Sequence, residues 1–97
     1  MDFIYSIQDV EFEWDTKKAQ SNLEKHGVTF TEAAEAFFDP FYVEGDASSN
    51  NEWRSFIIGY SNSQRLLLVV YVERGARNRI ISARKATRTE RESYEQF

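Results

Sequence analysis

The sequence predicts an α+β domain in which two N-terminal helices pack on an antiparallel β-meander and a short helix closes the chain. Three observations carry this. Apolar residues recur at i, i+3, i+4, i+7 and i+8 over Phe30, Ala33, Ala34, Phe37 and Phe38, the period of an amphipathic helix. Three β-rich runs, 53–60, 66–73 and 79–86, are joined only by the short polar segments SNSQR and RGARN, as in successive hairpins. The spacings TFTE at 29–32 and TRTE at 87–90 are capping boxes, each marking a helix start.

In chain order, residues 3–14 are rich in β-formers and loosely alternating, so they form one bent strand or a small hairpin. Asp15 then caps a helix over 16–26, with Ala19, Leu23 and His26 on one face, and Gly27 ends it. The second helix starts after Thr29 and stops at Asp39-Pro40. EGDASSNNE at 44–52 is small, polar and turn-prone, and reads as an exposed loop. The three meander strands follow, then a helix from TRTE through Tyr94. The two Trp residues, the phenylalanines and Tyr71 are expected in the core. One face of the sheet is left partly open.

Ninety-seven residues with 41% hydrophobic and 15% aromatic content suit one folded domain spanning 1–97. Without cysteine there is no disulfide and no thiolate chemistry. The longest apolar run, 66–72, is far short of the ~20 residues of a membrane span, and the N-terminus lacks the basic start of a secretory signal. A soluble cytoplasmic protein is the expectation. The net charge of −4 hides a division: residues 1–50 hold eleven acids and three lysines, residues 51–97 five acids, eight arginines and one lysine. The C-terminal half therefore offers the side chains best suited to bidentate phosphate contact.

The chain has one histidine, no Gly-rich phosphate loop and no acidic pair with recognisable metal-ligand spacing, so no cofactor or metal is expected. What remains is a set of phosphate-compatible groups at strand ends: Arg54, Arg65, Arg74, Arg79, Arg84 and Lys85, with Arg88 and Arg91 on the last helix. Strict alternation would put Ile80, Ser82 and Arg84 on one face of the last strand and Arg79, Ile81, Ala83 and Lys85 on the other. On that pleat Arg79 and Arg84 reach one phosphate only if the strand twists or bulges. Against this stands the plainer reading of surface ion pairs, each worth about 0–1 kcal/mol. His26 and Lys25 at a helix C-terminus read equally as a dipole cap and a solvated lysine.

Three stretches, FEWDTKKAQSNLEKHGVTFTEAAEAFFDP at 12–40, Glu52-Trp53-Arg54 as E-x-R, and RIISARKATRTERESYE at 79–95, resemble the BrnT family of ribonuclease toxins from type II toxin–antitoxin pairs. WD-x-x-K-x-x-x-N-x-x-KHGV together with RIISAR is a specific combination. Thr16 stands where many relatives have proline, and residues 1–11 precede the usual FEWD start. The resemblance implies a RelE-like fold and metal-independent RNA cleavage by attack of the substrate's 2′-OH on the adjacent phosphate. It also implies a partner, a BrnA-type antitoxin with a DNA-binding domain, in a complex that represses its own operon and can hold the toxin as a homodimer. Arg79 and Arg84, then Arg54, are the expected phosphate-stabilising groups. The general base is one of Glu52, His26, Lys25 or Glu73, with Glu52 and His26 ranked before Lys25. Tyr94 or Tyr71 could donate a further hydrogen bond. The opposing reading is a non-catalytic module that only binds antitoxin. A stand-alone nucleic-acid-binding domain fits less well, because the N-terminal half is acidic.

Overall fold

The computed structural model describes residues 1–49 and 52–96. β1 (Asp2–Ile7) and β2 (Val10–Asp15) form a hairpin whose two-residue turn, Gln8 and Asp9, has φ of 50° and 65°. Positive φ at both turn positions matches the twist of paired strands. The chain continues through α1 (Thr16–His26), α2 (Phe30–Glu35) and a 3₁₀ turn (Ala36–Phe38). Next come β3 (Val43–Asp46), β4 (Ser55–Tyr60), β5 (Leu66–Arg74), β6 (Arg77–Lys85) and α3 (Arg88–Tyr94). All six strands lie in one sheet, in the order β1-β2-β6-β5-β4-β3. No described helix is long and apolar enough to cross a membrane.

This architecture corrects the expected one. The expected RelE-like arrangement, two N-terminal helices on an antiparallel meander alone, is not what the chain forms. The hairpin over the N-terminal segment joins the sheet, its second strand pairing parallel with β6, so the antiparallel β4-β5-β6 is only part of it. The sheet is therefore mixed and six-stranded. The polar segment read as a loop contributes β3, paired with β4. Its composition disguised it, because Gly45 lies under the Phe56 ring, where a Cβ would come within 2.4 Å of the ring edge. Asn50 and Asn51, which that loop includes, fall outside the described residues.

Asp15 caps α1 by accepting from the Lys18 amide at 3.0 Å, and Gly27 ends it in the left-handed region at φ 67°. The inward face differs from the apolar spacing: Asn22 is buried, while Leu23 is 40% exposed. Asn22 sits beside the part of β6 that extends past the end of β2. Its amide donates to Ala83 O at 2.8 Å and its Oδ1 accepts from Ala83 N at 3.1 Å. The side chain thus replaces the missing strand neighbour, and it also donates to Val28 O. At α2, Thr29 accepts from Glu32 N, but the Glu32 carboxylate turns to Arg65 and Ser61.

The core lies between the helices and one face of the sheet, from Phe12, Trp14, Ile57, Leu67, Val69, Tyr71, Ile80 and Ala83 below to Val28, Phe30, Ala33, Ala34 and Ala36 above. Trp14 meets Phe30, and Phe37 meets both Phe12 and Tyr71, in edge-to-face contacts of 4.9–5.7 Å. Gly59 lets the 3₁₀ turn approach β4, since a Cβ there would stand 2.6 Å from Ala36 O.

The opposite face carries Arg74, Arg79 and Arg84, and a bulge sets its pattern. Tyr71 pairs with Ile80 but Val70 with Ser82, so Ile81 is an extra residue in β6. The alternation expected for this strand is broken: Ile80 and Ala83 both face the core, and Arg79 and Arg84 both face away. α3 lies over the far end of this face. Its capping box is complete, with Thr87 and Glu90 exchanging hydrogen bonds. Glu90 also takes Arg84 in a bidentate pair at 2.8 Å, and the Tyr94 ring meets Tyr60 edge-on.

Candidate active site

On the part of this face that α3 leaves open is a cavity of about 500 Å³. Val72 of β5 and Ile81 of the bulge are its apolar lining. Four cations border it. Arg79 comes from the β6 position opposite Val72, and Arg74 lies two residues beyond Val72 on the same face. Lys18 comes from the first turn of α1. Arg54 comes from the segment entering β4, where the Ser48 hydroxyl accepts from Arg54 N at 2.9 Å and donates to Arg54 O at 3.1 Å. Glu52 and Trp53 complete the wall, and Glu52 lies 2.5 Å from Arg54.

Arg79 is the most enclosed of the four. It donates to Glu13 at 2.6 Å and grips Asp2 bidentately at 3.0 and 3.1 Å. Glu13 is buried beneath the cavity, with Arg74 and Arg77 also within 3.4 and 3.7 Å. The hydrogen bond from Arg79 holds the Asp2 carboxyl below its ordinary range, and Asp2 and Glu13 push the Arg79 pKa further up. The two partners differ in access, since the Asp2 side chain is 50% exposed and the Glu13 side chain 7%. The outer edge of the guanidinium can therefore exchange its ligand while Glu13 keeps the inner edge.

Of the residues the sequence pointed to, the structure brings Glu52, Arg54 and Arg79 together at this cavity. Arg84 faces the same side of the sheet but lies in a second, mainly apolar groove under α3, bound to Glu90. Lys25 and His26 occupy the last turn of α1, about 12 Å along the helix from Lys18, and do not line the cavity. Glu73 pairs with Asn78, so it projects from the face opposite Arg79. Tyr94 donates to Asp39 at 2.7 Å; burial and that carboxylate push its pKa up to about 12. Tyr71 is in the core, where burial raises its pKa.

Sequence reasoning missed Lys18 and Trp53, and it named Arg74 only among the strand-end arginines, without a role at the site. Lys18 was within reach, because it is the first lysine of the same WD-x-x-K motif that drew attention to Lys25 and His26. Trp53 was expected in the core and is 85% exposed, since it precedes β4 instead of lying in it. Among the described residues no three His, Asp or Glu side chains gather closely enough to hold a metal ion.

No curated protein matches the chain. The crystal structure of the Brucella abortus ribonuclease toxin BrnT is similar, with a TM-score of 0.58 and 24% identity over 77% of this chain and 94% of that one. At that identity the likeness shows a shared fold. Residues 14–90 match the family model described as "Ribonuclease toxin, BrnT, of type II toxin-antitoxin system". That match spans the first helix, the whole meander and the start of α3, and by it the chain belongs to the BrnT family of ribonuclease toxins.

Proposed function

We propose that the chain is a metal-independent endoribonuclease whose active site is the cavity bordered by Lys18, Arg54, Arg74 and Arg79. Its inhibitor in the toxin–antitoxin pair is a BrnA-type antitoxin carrying a DNA-binding domain. The observation that supports this best is the convergence of four cations on one solvent-open cavity with a carboxylate, Glu52, on its wall. The substrate's 2′-oxygen attacks the adjacent phosphorus and the bond from phosphorus to the 5′-oxygen breaks. The products are a 2′,3′-cyclic phosphate and a 5′-hydroxyl. Glu52 accepts the proton of the attacking hydroxyl, and the leaving oxygen takes one from solvent. Charge developing on the phosphorane is met by Arg54, Arg79 and Lys18, cations already in place before the reaction begins. Arg79 reaches the phosphate by exchanging Asp2, its exposed partner, and keeping Glu13.

A second reading, a non-catalytic antitoxin-binding module acting in operon autoregulation, draws on the resting ion pairs. Arg79 is held by Asp2 and Glu13, Arg54 by Glu52 and Arg84 by Glu90. The two readings separate on product chemistry. The purified chain, free of antitoxin and in EDTA, is expected to cut an RNA oligonucleotide to cyclic-phosphate ends by mass spectrometry and to leave its 2′-O-methyl counterpart intact. No cleavage, with antitoxin binding retained, would leave the second reading standing.

A further inference from the structure

We propose that Trp53 is a stacking platform for an unpaired base, which makes single-stranded RNA the substrate class; this rests on the cavity being the RNA site. Trp53 is 85% exposed, whereas Trp14, the other tryptophan, is 5% exposed. A large aromatic side chain gains most by burial, so folding does not account for an indole left in water. Nor is it carried on a slack segment. Before it, Ser49 and Glu52 exchange backbone hydrogen bonds of 3.2 and 2.9 Å; after it, Arg54 is held at both its amide and its carbonyl by Ser48. The indole is thus presented from a braced backbone at the wall of a cavity that also holds Arg54, Arg79 and Lys18.

An aromatic face beside a cluster of cations is the pairing that a single strand requires, with phosphates on the cations and a base on the ring. Bases inside a duplex have both faces covered by their neighbours and cannot stack on a side chain without leaving the helix. The arrangement therefore selects an unpaired nucleotide. Stacking is indifferent to base identity, so the selection is for strandedness more than for sequence.

The test uses the full chain: stacking is read from quenching of the exposed Trp53 indole, and binding by the parent and every variant from the fluorescence anisotropy of end-labelled RNA, with polyphosphate followed by its displacement of that RNA. Three probes are titrated: a single-stranded 2′-O-methyl RNA, the same sequence as a duplex, and inorganic polyphosphate. The single strand is expected to quench the indole and to bind about tenfold more tightly than the duplex, while polyphosphate binds without stacking. Trp53→Ala is expected to weaken single-strand binding about tenfold and leave polyphosphate binding unchanged, Trp53→Phe to keep most of it, and Phe41→Ala, at another exposed aromatic, to change nothing. Undiminished single-strand binding by Trp53→Ala overturns the inference, and a loss confined to antitoxin binding would assign the indole to a protein interface instead. If Lys18→Ala and Arg54→Ala weaken RNA binding while Trp53→Ala does not, only the stacking fails. If none of the three matters, the cavity itself is not the RNA site.

Discussion

Arg79 and Arg84, five residues apart on one strand, project from the same face of the sheet because Ile81 is the extra residue of a bulge between them. They nonetheless occupy different grooves. Arg79 lies opposite Val72 and Arg84 opposite Leu68, about 13 Å apart along β5. Arg79 is bound to Asp2 and Glu13, Arg84 to Glu90. One phosphate does not reach both in this arrangement. The bulge gives one arginine to the cation-lined cavity and the other to the anchoring of α3.

Separate grooves predict independence. In a double-mutant cycle of Arg79→Lys and Arg84→Lys followed by urea unfolding, the two effects should add to within about 0.5 kcal/mol. A larger coupling would mean that the two ion pairs form one network.

Asn22 should be irreplaceable by its nearest isostere. Asn22→Asp keeps the acceptor toward Ala83 N but loses both donors, to Ala83 O and Val28 O, and buries a carboxylate. A loss of about 2–4 kcal/mol is expected, with Asn22→Ala at the lower end of that range, both measured by chemical unfolding.

Asp2 holds the outer edge of Arg79, where the proposed mechanism places the phosphate, and it precedes the family-matched segment. Asp2→Ala should raise RNA cleavage several-fold at low substrate and leave the unfolding midpoint nearly unchanged. Arg79→Ala is a poor test by comparison. It strips the buried Glu13 of its closest cation and should cost about 3 kcal/mol of stability, so lost activity there would not distinguish chemistry from folding.

Acid should loosen the anchoring of α2 and α3 together. Hydrogen bonds from Arg65 depress the Glu32 pKa, and hydrogen bonds from Arg84 depress that of Glu90. A carboxyl whose folded pKa is depressed adds stability above its unfolded value, about 4.3, and that stability is lost as pH falls through the folded value. The melting temperature should therefore hold steady from pH 7 to about 5 and fall below about 4. Glu32→Gln should start lower at pH 7 and fall less steeply.

How much of this was legible in the sequence depended on whether the signal was local. α1 was, because Asp15 and Gly27 bracket it, and so was the capping box of α3. The strands of the meander were found within a residue or two, except that β4 begins at Ser55, which left Trp53 outside. The parallel pairing of β2 with β6 was not legible, since it joins segments over sixty residues apart and no local pattern marks it. The bulge was hidden for a related reason: RIISARKA has the composition of a regular strand, and only pairing with Val70 and Tyr71 exposes the extra residue. At the site, Arg54, Glu52 and Arg79 could be singled out by type and motif, but their meeting with Lys18 depends on α1 starting where β2 ends.

The most direct test of the cavity as the active site is the single-turnover cleavage rate of one RNA oligonucleotide in EDTA, compared across variants that fold like the parent. Lys18→Ala, Arg54→Ala and Glu52→Gln are each expected to slow cleavage by about 100-fold, whereas Lys25→Ala and His26→Ala should stay within about threefold of the parent. The opposite pattern, with the cavity variants cleaving normally and the His26 or Lys25 variant inactive, would place the chemistry at the end of α1 and contradict the account.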